Sequence, residues 1–249
     1  MIVKAIKTRP FLPPKDDLFS IIKESIFEIK EGSIIVITSK VVSIGEGVCI
    51  KTDNTKIEKD SLIKREADLY IFRDKKIEGS VMLTIKDNIL IPSSGIDESN
   101  ANGYYILWPK KPFESAKKIY KFIKKTYGLK AFGVIISDSH TTPLRTGIMG
   151  IGLAYYGFNP LRDYRGKKDI FGRKLKMSQT NIVDSLSAAA VYKMGEGAEQ
   201  TPIAIIEDAG NIEFTEKDFS KSNPLRISID EDIYSPLLKS AEWHKGKSK

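Results

Sequence analysis

Apolar residues recur along this chain with two different periods, and the periods mark out its elements. From Asp16 to Ile29 the residues Leu18, Ile21, Ile22, Ile26 and Ile29 lie three and four apart, the spacing of one helix face. Pro13-Pro14 stops any earlier helix. Ser33 to Thr38 is β-rich and follows the turn signal Glu31-Gly32, which predicts a strand. Asn88 to Ile91 (closed by Pro92), Ala131 to Ile136 and Pro202 to Ile206 predict three more. Between Pro109 and Lys130 the stripe Ala116, Ile119, Tyr120, Ile123, Tyr127 predicts an amphipathic helix, with Lys117, Lys118, Lys121, Lys124 and Lys125 opposite. Asn181 to Met194 predicts another, with Asp184 in its first turn, Lys193 in its last and Gly195 just past the end. Helices and strands alternate too irregularly for a doubly wound parallel sheet. The expected class is α+β, a mixed α/β arrangement, with no internal repeats.

Composition narrows the class. Hydrophobic residues are 41% and charged residues 29% of 249, enough apolar material for a core and unlike a disordered chain. Cys49 is the one cysteine, which excludes an internal disulfide and a Cys-rich zinc site and reads as a reduced, cytoplasmic protein. The start MIVKAIKTRP lacks the apolar run of a signal peptide. The least polar stretch, Thr146 to Phe158, is too short to span a bilayer, so no membrane partner is expected.

Net charge is 40 − 32 = +8, and nearly all of it sits in one place. Pro109 to Lys130 holds eight lysines and one glutamate, a net of +7. The plain reading is the solvated face of a packed helix. The competing reading is a non-catalytic anion- or nucleic-acid-binding protein that uses this helix as its contact surface. The segment has no arginine and no nucleic-acid motif, which disfavours nucleic acid as a partner. Lys245, Lys247 and Lys249 form a second basic cluster in a tail expected to fray.

The familiar catalytic motifs are absent: no GxxxxGK[ST], no GxGxxG after a strand, no HExxH, no GxSxG. Two histidines, His140 and His244, supply a Ser–His or Cys–His mechanism poorly. What remains is acidic. Asp97 follows a strand and a Ser-Ser-Gly turn, Asp138 closes the run Gly133 to Ser137, and Glu196 stands between Gly195 and Gly197 past a helix. Acids at element ends are often only turn residues. Together with hydroxyls such as Ser139, they are also hard oxygen ligands suited to Mg²⁺ or Mn²⁺. The glycines around Glu196 let backbone N–H groups approach a phosphate.

Four segments in this order resemble one family, the GTP-dependent γ-glutamyl ligases that add glutamate to the deazaflavin coenzyme F-420. They are Gly95-Ile96-Asp97-Glu98-Ser99-Asn100, Ser137-Asp138-Ser139, the run Arg165 to Arg173, and Met194-Gly195-Glu196-Gly197. The resemblance runs from about Thr8 to Glu207 and implies a two-lobed ligase domain over residues 1–207. Residues 208–249 have no counterpart and are expected to be an extension of unassigned role. By position, Asp97 and Asp138 resemble the ligands of one divalent cation, and Ser139 and Glu196 those of a second. Arg9-Pro10-Phe11-Leu12, Ser39-Lys40, Asn100 and the stretch Met194 to Thr201, with Met194, Gly195, Gly197 and Thr201, resemble the nucleotide site. Asp138 and Arg145 are the expected catalytic residues.

The resemblance further implies GTP as co-substrate, two Mg²⁺ or Mn²⁺ ions, a monovalent cation such as K⁺, L-glutamate and a coenzyme acceptor as partners, and a homodimer. The γ-phosphoryl group would activate a substrate carboxylate, and the glutamate amine would attack the acyl phosphate. Arg145, Arg162, Arg165 and Arg173 are candidate forks for carboxylate or phosphate. Two positions depart from the family. Ile44 stands where a lysine is usual, and Thr141-Thr142 replace a Gly-Arg pair beside the expected metal ligands. Loss of a cationic fork there favours the less anionic of two acceptors, so the expectation leans to a folate-type pteridine over the deazaflavin.

Overall fold

Ile34, Ile35, Val36 and Ile37 form an unbroken apolar run, which can sit only where both faces of a strand are covered. They lie at the centre of the main sheet and are fully buried. The computed structural model describes residues 1–52, 59–74, 76 and 79–246. Its first half carries β1 (Ile2–Ile6), α1 (Leu18–Ser25), β2 (Ile34–Thr38), α2 (Ser39–Glu46), β3 (Cys49–Lys51), α3 (Lys59–Glu66), β4 (Leu69–Ile71), β5 (Leu83–Lys86), β6 (Ile89–Pro92) and β7 (Tyr104–Ile106). Its second half carries α4 (Pro112–Tyr127), β8 (Gly133–His140), β9 (Met149–Tyr156), β10 (Leu161–Asp163), β11 (Gln179–Asn181), α5 (Ile182–Met194), β12 (Ile203–Glu207), α6 (Ser235–Ser240) and β13 (His244–Lys245).

The main sheet has the order β1-β12-β2-β8-β9. All pairs are antiparallel except β2 with β8, which run parallel with Thr38 opposite Ser137. Alternate residues of each strand supply two cores. Ile35, Ile37, Val134, Ile136, Ile203 and Ile205 face α1, α2 and α4. Ile34, Val36, Ile135, Tyr155, Ala204 and Ile206 face α5 and Phe219. A smaller antiparallel sheet, β13-β4-β5-β6, and two ribbons, β3-β7 and β10-β11, complete an α+β fold.

Three expectations shift. α1 ends at Ser25, four residues early, because Ile26 is already extended; Ile26 and Ile29 are nevertheless buried as the spacing predicts. β8 continues past Ile136 through a bulge at Ile136/Ser137, so Asp138 lies inside the strand opposite Ile151 rather than at its end. Pairing with β9 carries the polar residues that the hydrophobic pattern alone would leave out. Lys245 is not frayed but part of β13, paired with Leu69; Lys247 and Lys249 lie outside the described residues.

The chain beyond β12 is packed onto the body. Phe219 is buried, Lys117 meets Asp218 at 2.7 Å, and Lys124 meets Glu216, so two lysines of the basic face are already paired. Among the described residues no helix is long and apolar enough to cross a membrane.

Candidate active site

In sheets with parallel neighbours, ligands settle outside the carboxyl ends of the strands, where loops diverge. The parallel pairing of β2 with β8 stops at Thr38 and Ser137, and a cleft of about 440 Å³ opens there. Its walls come from the loop after β1, the start of α2, the turn after β6, the end of β8, and the loop between α5 and β12. That volume lies within the usual range of small-molecule sites.

Asp97 is delivered by a tight turn. Ser93, Ser94 and Gly95 have φ of 54°, 56° and 67°, and a Cβ on Gly95 would lie 2.0 Å from Trp108 Nε1. Only glycine fits against the indole in that conformation. The Asp97 backbone then pairs both ways with Ile106, at 3.0 and 2.9 Å. Its carboxylate accepts from the Ser99 amide and hydroxyl, both at 2.8 Å, and meets Lys40 Nζ at 2.7 Å. Burial raises its pKa, but the Lys40 charge and the bonds from Lys40 and Ser99 outweigh burial and hold it below the usual value.

Asp138 stands in a different environment. Its Oδ1 accepts from Ser39 Oγ at 3.1 Å and its Oδ2 from Trp108 Nε1. Burial pushes its pKa up to about 6 against these bonds and that of the Ser139 amide, and the nearby Asp97 charge adds to the rise. One residue further along β8, Ser139 Oγ donates to Glu196 Oε1 at 2.8 Å. The loop that carries Glu196 is folded by its own polar groups. Gly197 N donates to Glu199 at 2.8 Å, Asn100 Nδ2 donates to Gly197 O at 2.8 Å, and Thr201 Oγ1 donates to Met194 O.

The donors therefore stand as two pairs, Asp97 with Asp138 and Ser139 with Glu196, on one cleft. Among the described residues no three His, Cys, Asp or Glu side chains form a single metal-holding cluster. All four donors present hard oxygens, which fits Mg²⁺ or Mn²⁺ rather than a soft metal. Ser137 Oγ, fully buried beside them, has no hydrogen-bond partner among the described residues, an uncommon state for a buried hydroxyl.

Most of the residues singled out from the sequence line this cleft: Arg9, Pro10, Phe11, Lys40, Asp97, Asn100, Asp138, Ser139, Met194, Gly195, Glu196, Gly197 and Thr201. Ser39 reaches it through Asp138. Leu12 does not line it; its side chain is exposed and its amide donates to Asp16. Arg145 does not line it either. The turn after β8, with Leu144 at φ 60°, carries the arginine out into solvent. Arg162 is bound to Asn211 O and Arg165 to Asp163, both away from the cleft. Sequence reasoning missed Trp108, whose only cue is a glycine thirteen residues earlier in the chain that it alone makes obligatory. It also missed the apolar floor, where Ile44 joins Val41, Val191 and Met194. Ile44, where the resemblance implies a lysine, is thus a fully covered wall.

A family model for F420-0:Gamma-glutamyl ligase matches residues 6–208. The chain belongs to that family. It is 35% identical over 223 residues to the coenzyme F420:L-glutamate ligase of Methanocaldococcus jannaschii, covering 84% of this chain and 86% of that protein. The proteins of the same name from Methanopyrus kandleri and Halorubrum lacusprofundi are 32% and 29% identical, covering 77% and 82% of this chain and 81% and 86% of theirs. The family match runs from the end of β1 through β12 and so takes in every segment that lines the cleft.

Proposed function

We propose that this protein is a ligase that joins L-glutamate through an amide bond to the carboxylate of an F420-type coenzyme acceptor, at the expense of GTP. The observation that carries the reading is the pair of oxygen-donor sets facing one cleft of nucleotide size, in a chain of this family. Asp97 with Asp138, and Ser139 with Glu196, would hold two divalent cations, whose chemistry is to neutralise the phosphates and the charge that develops on the transferred group.

The protein's own groups fit the remaining tasks. Lys40 is held by Asp97 and by Ser99 O at 2.9 Å with its ammonium at the cleft, where it can meet a phosphate oxygen. The loop Met194 to Thr201 presents Gly195 and Gly197, whose backbone a phosphate can approach closely. The floor of Val41, Ile44, Val191 and Met194 offers an apolar surface for a base. The acceptor carboxylate attacks the γ-phosphorus and GDP leaves. The glutamate amine then attacks the acyl carbon, loses its proton and expels phosphate. A homodimer in the cytoplasm belongs to the same reading.

A second acceptor is favoured by one observation. Thr141 and Thr142, where the resemblance implies a Gly-Arg pair, line a neighbouring cleft, so a folate-type pteridine, with less negative charge, suits that position. Mass spectrometry after incubation with GTP, Mn²⁺, glutamate and each acceptor tests both. A product heavier by one glutamyl unit is expected. Absence of product with every acceptor, with GTP bound, would reject the ligase reading.

A further inference from the structure

A second cleft, of about 270 Å³, opens beside the end of β8. Its nearest residue on that strand is His140, two positions beyond Asp138 and so about 7 Å along it. One wall is made by Ile151 and Leu153 of β9 and another by the β5–β6 turn at Asn88. The third is Leu225 and its neighbours in the segment beyond β12, the part of the chain that lies outside the family match. That wall is tied down at two points. Tyr155 OH donates to Asn223 Oδ1 at 2.9 Å, and Asn88 Nδ2 donates to Ile227 O at 3.0 Å. The cleft is therefore preformed.

Its chemistry differs from that of the first cleft. Ile89, Leu90, Ile151, Leu153 and Leu225 give it aliphatic surface, with imidazole, hydroxyl, amide and carboxylate groups at His140, Thr142, Asn88 and Asp184 around them. Among the described residues Arg226 is the one arginine or lysine of the lining, against the two carboxylates Asp87 and Asp184. A site with that balance repels a triphosphate or a free dicarboxylic amino acid. Apolar faces with a few convergent polar groups suit a flat, uncharged ring that hydrogen-bonds along its edge.

We propose that this second cleft holds the heteroaromatic ring of the acceptor, with the carboxyl end of that molecule running along β8 to Asp138. The inference rests on the ligase reading for the identity of the acceptor, while the cleft itself stands apart from the nucleotide site. Pterin and deazaflavin rings share the required chemistry. The segment Asn223 to Ile227 then has a role, as the wall against which the ring packs.

The test uses the full-length protein and uncharged ring probes that carry no carboxylate: 5-deazariboflavin in one arm and 6-hydroxymethylpterin in the other. Binding is read by the fluorescence anisotropy of the ring. At least one probe should bind, and excess GTP with Mn²⁺ should not displace it. Thr142→Trp, which fills the cleft from its rim, and Leu225→Gln, which makes its wall polar, should each raise the Kd of the ring at least about tenfold. Both should leave GTP affinity within about twofold, which also shows that they fold. The arm that responds identifies the ring. Displacement of the ring by GTP, ring affinity unchanged in both variants, or no binding of either probe to the wild type would overturn the proposal. A ring that binds as described in a protein that forms no glutamylated product would instead reject the ligase reading and leave the cleft assigned.

Discussion

Replacing Asp138 by asparagine should make the metal-free protein more stable. Burial raises the Asp138 pKa from the ordinary 3.8 to about 6, so its charged form is held at a cost in the folded state. Two units at about 1.4 kcal/mol each set an upper bound of about 3 kcal/mol. Asparagine has nearly the same shape. Its carbonyl can accept from Trp108 as Oδ2 does now, and its amide can donate to Ser39 Oγ, once that hydroxyl turns from donor to acceptor. Reorganising the Ser39 bond takes back about 1 kcal/mol, leaving a gain of about 1–2 kcal/mol. The sign fixes the pH window. A raised carboxyl pKa weakens the fold as pH climbs above the unfolded value near 4, and the penalty levels off as pH passes through about 6. Urea unfolding in EDTA should therefore show the variant behind by up to about 1 kcal/mol near pH 4, where the Ser39 cost stands alone, and ahead by a constant margin above pH 7. In the presence of Mn²⁺ and GTP the variant should lose turnover. A variant less stable than wild type at pH 7.5 without metal, or a difference flat across pH, would refute the argument.

Other outcomes follow from packing and charge. Lys86 and Glu66 pair at 3.2 Å with side chains only 6% and 8% exposed, so Lys86→Met should cost about 3 kcal/mol in urea unfolding, and Lys86→Met with Glu66→Leu should recover most of it. A Cβ on Gly150 would lie 2.3 Å from Ser187 O, backbone that cannot yield without moving α5. Gly150→Ala should therefore destabilise by about 1–3 kcal/mol and weaken GTP binding as well, because α5 leads into the Met194 to Thr201 wall; calorimetric titration with unchanged GTP affinity would contradict this. Lys117, Lys121 and Lys124 changed together to glutamine should leave turnover within about twofold and cost about 1 kcal/mol for the two lost surface pairs. A turnover loss beyond about tenfold would return the basic helix to contention as the functional surface.

Where one face of an element meets the core, the sequence announces it. The stripe of α4 and the all-apolar β2 are legible because burial alone dictates them. The polar end of β8 is not, since Ser137 to His140 are held as strand by β9, whose partnership no local pattern records. Asp97 and Glu196 were legible as acids at element ends and Asp138 only as an acid after an apolar run, and the cleft does gather all three. Arg145 shows the limit. It follows Asp138 by seven residues, but proximity in sequence says nothing about which way a turn leaves a strand. The segment beyond β12 was opaque because its anchors are single contacts, Phe219, Asn223 and His244, each with a partner far away in the chain.

The position of β12 bears on how the molecule comes to exist on the ribosome. It lies between β1 and β2, yet it is made about 165 residues after β2 ends, counting from Thr38 to Ile203. Until it arrives, β1 has no partner and β2 lacks one neighbour. The same late insertion pulls the Met194 to Thr201 loop across the ends of β2 and β8. At 5–20 residues per second a nascent chain spends roughly ten to thirty seconds in that state. During this interval the apolar edge of β2 is open to pairing with another chain. Closing the sheet and completing the nucleotide cleft are thus one event, and a chain released before β12 would have neither.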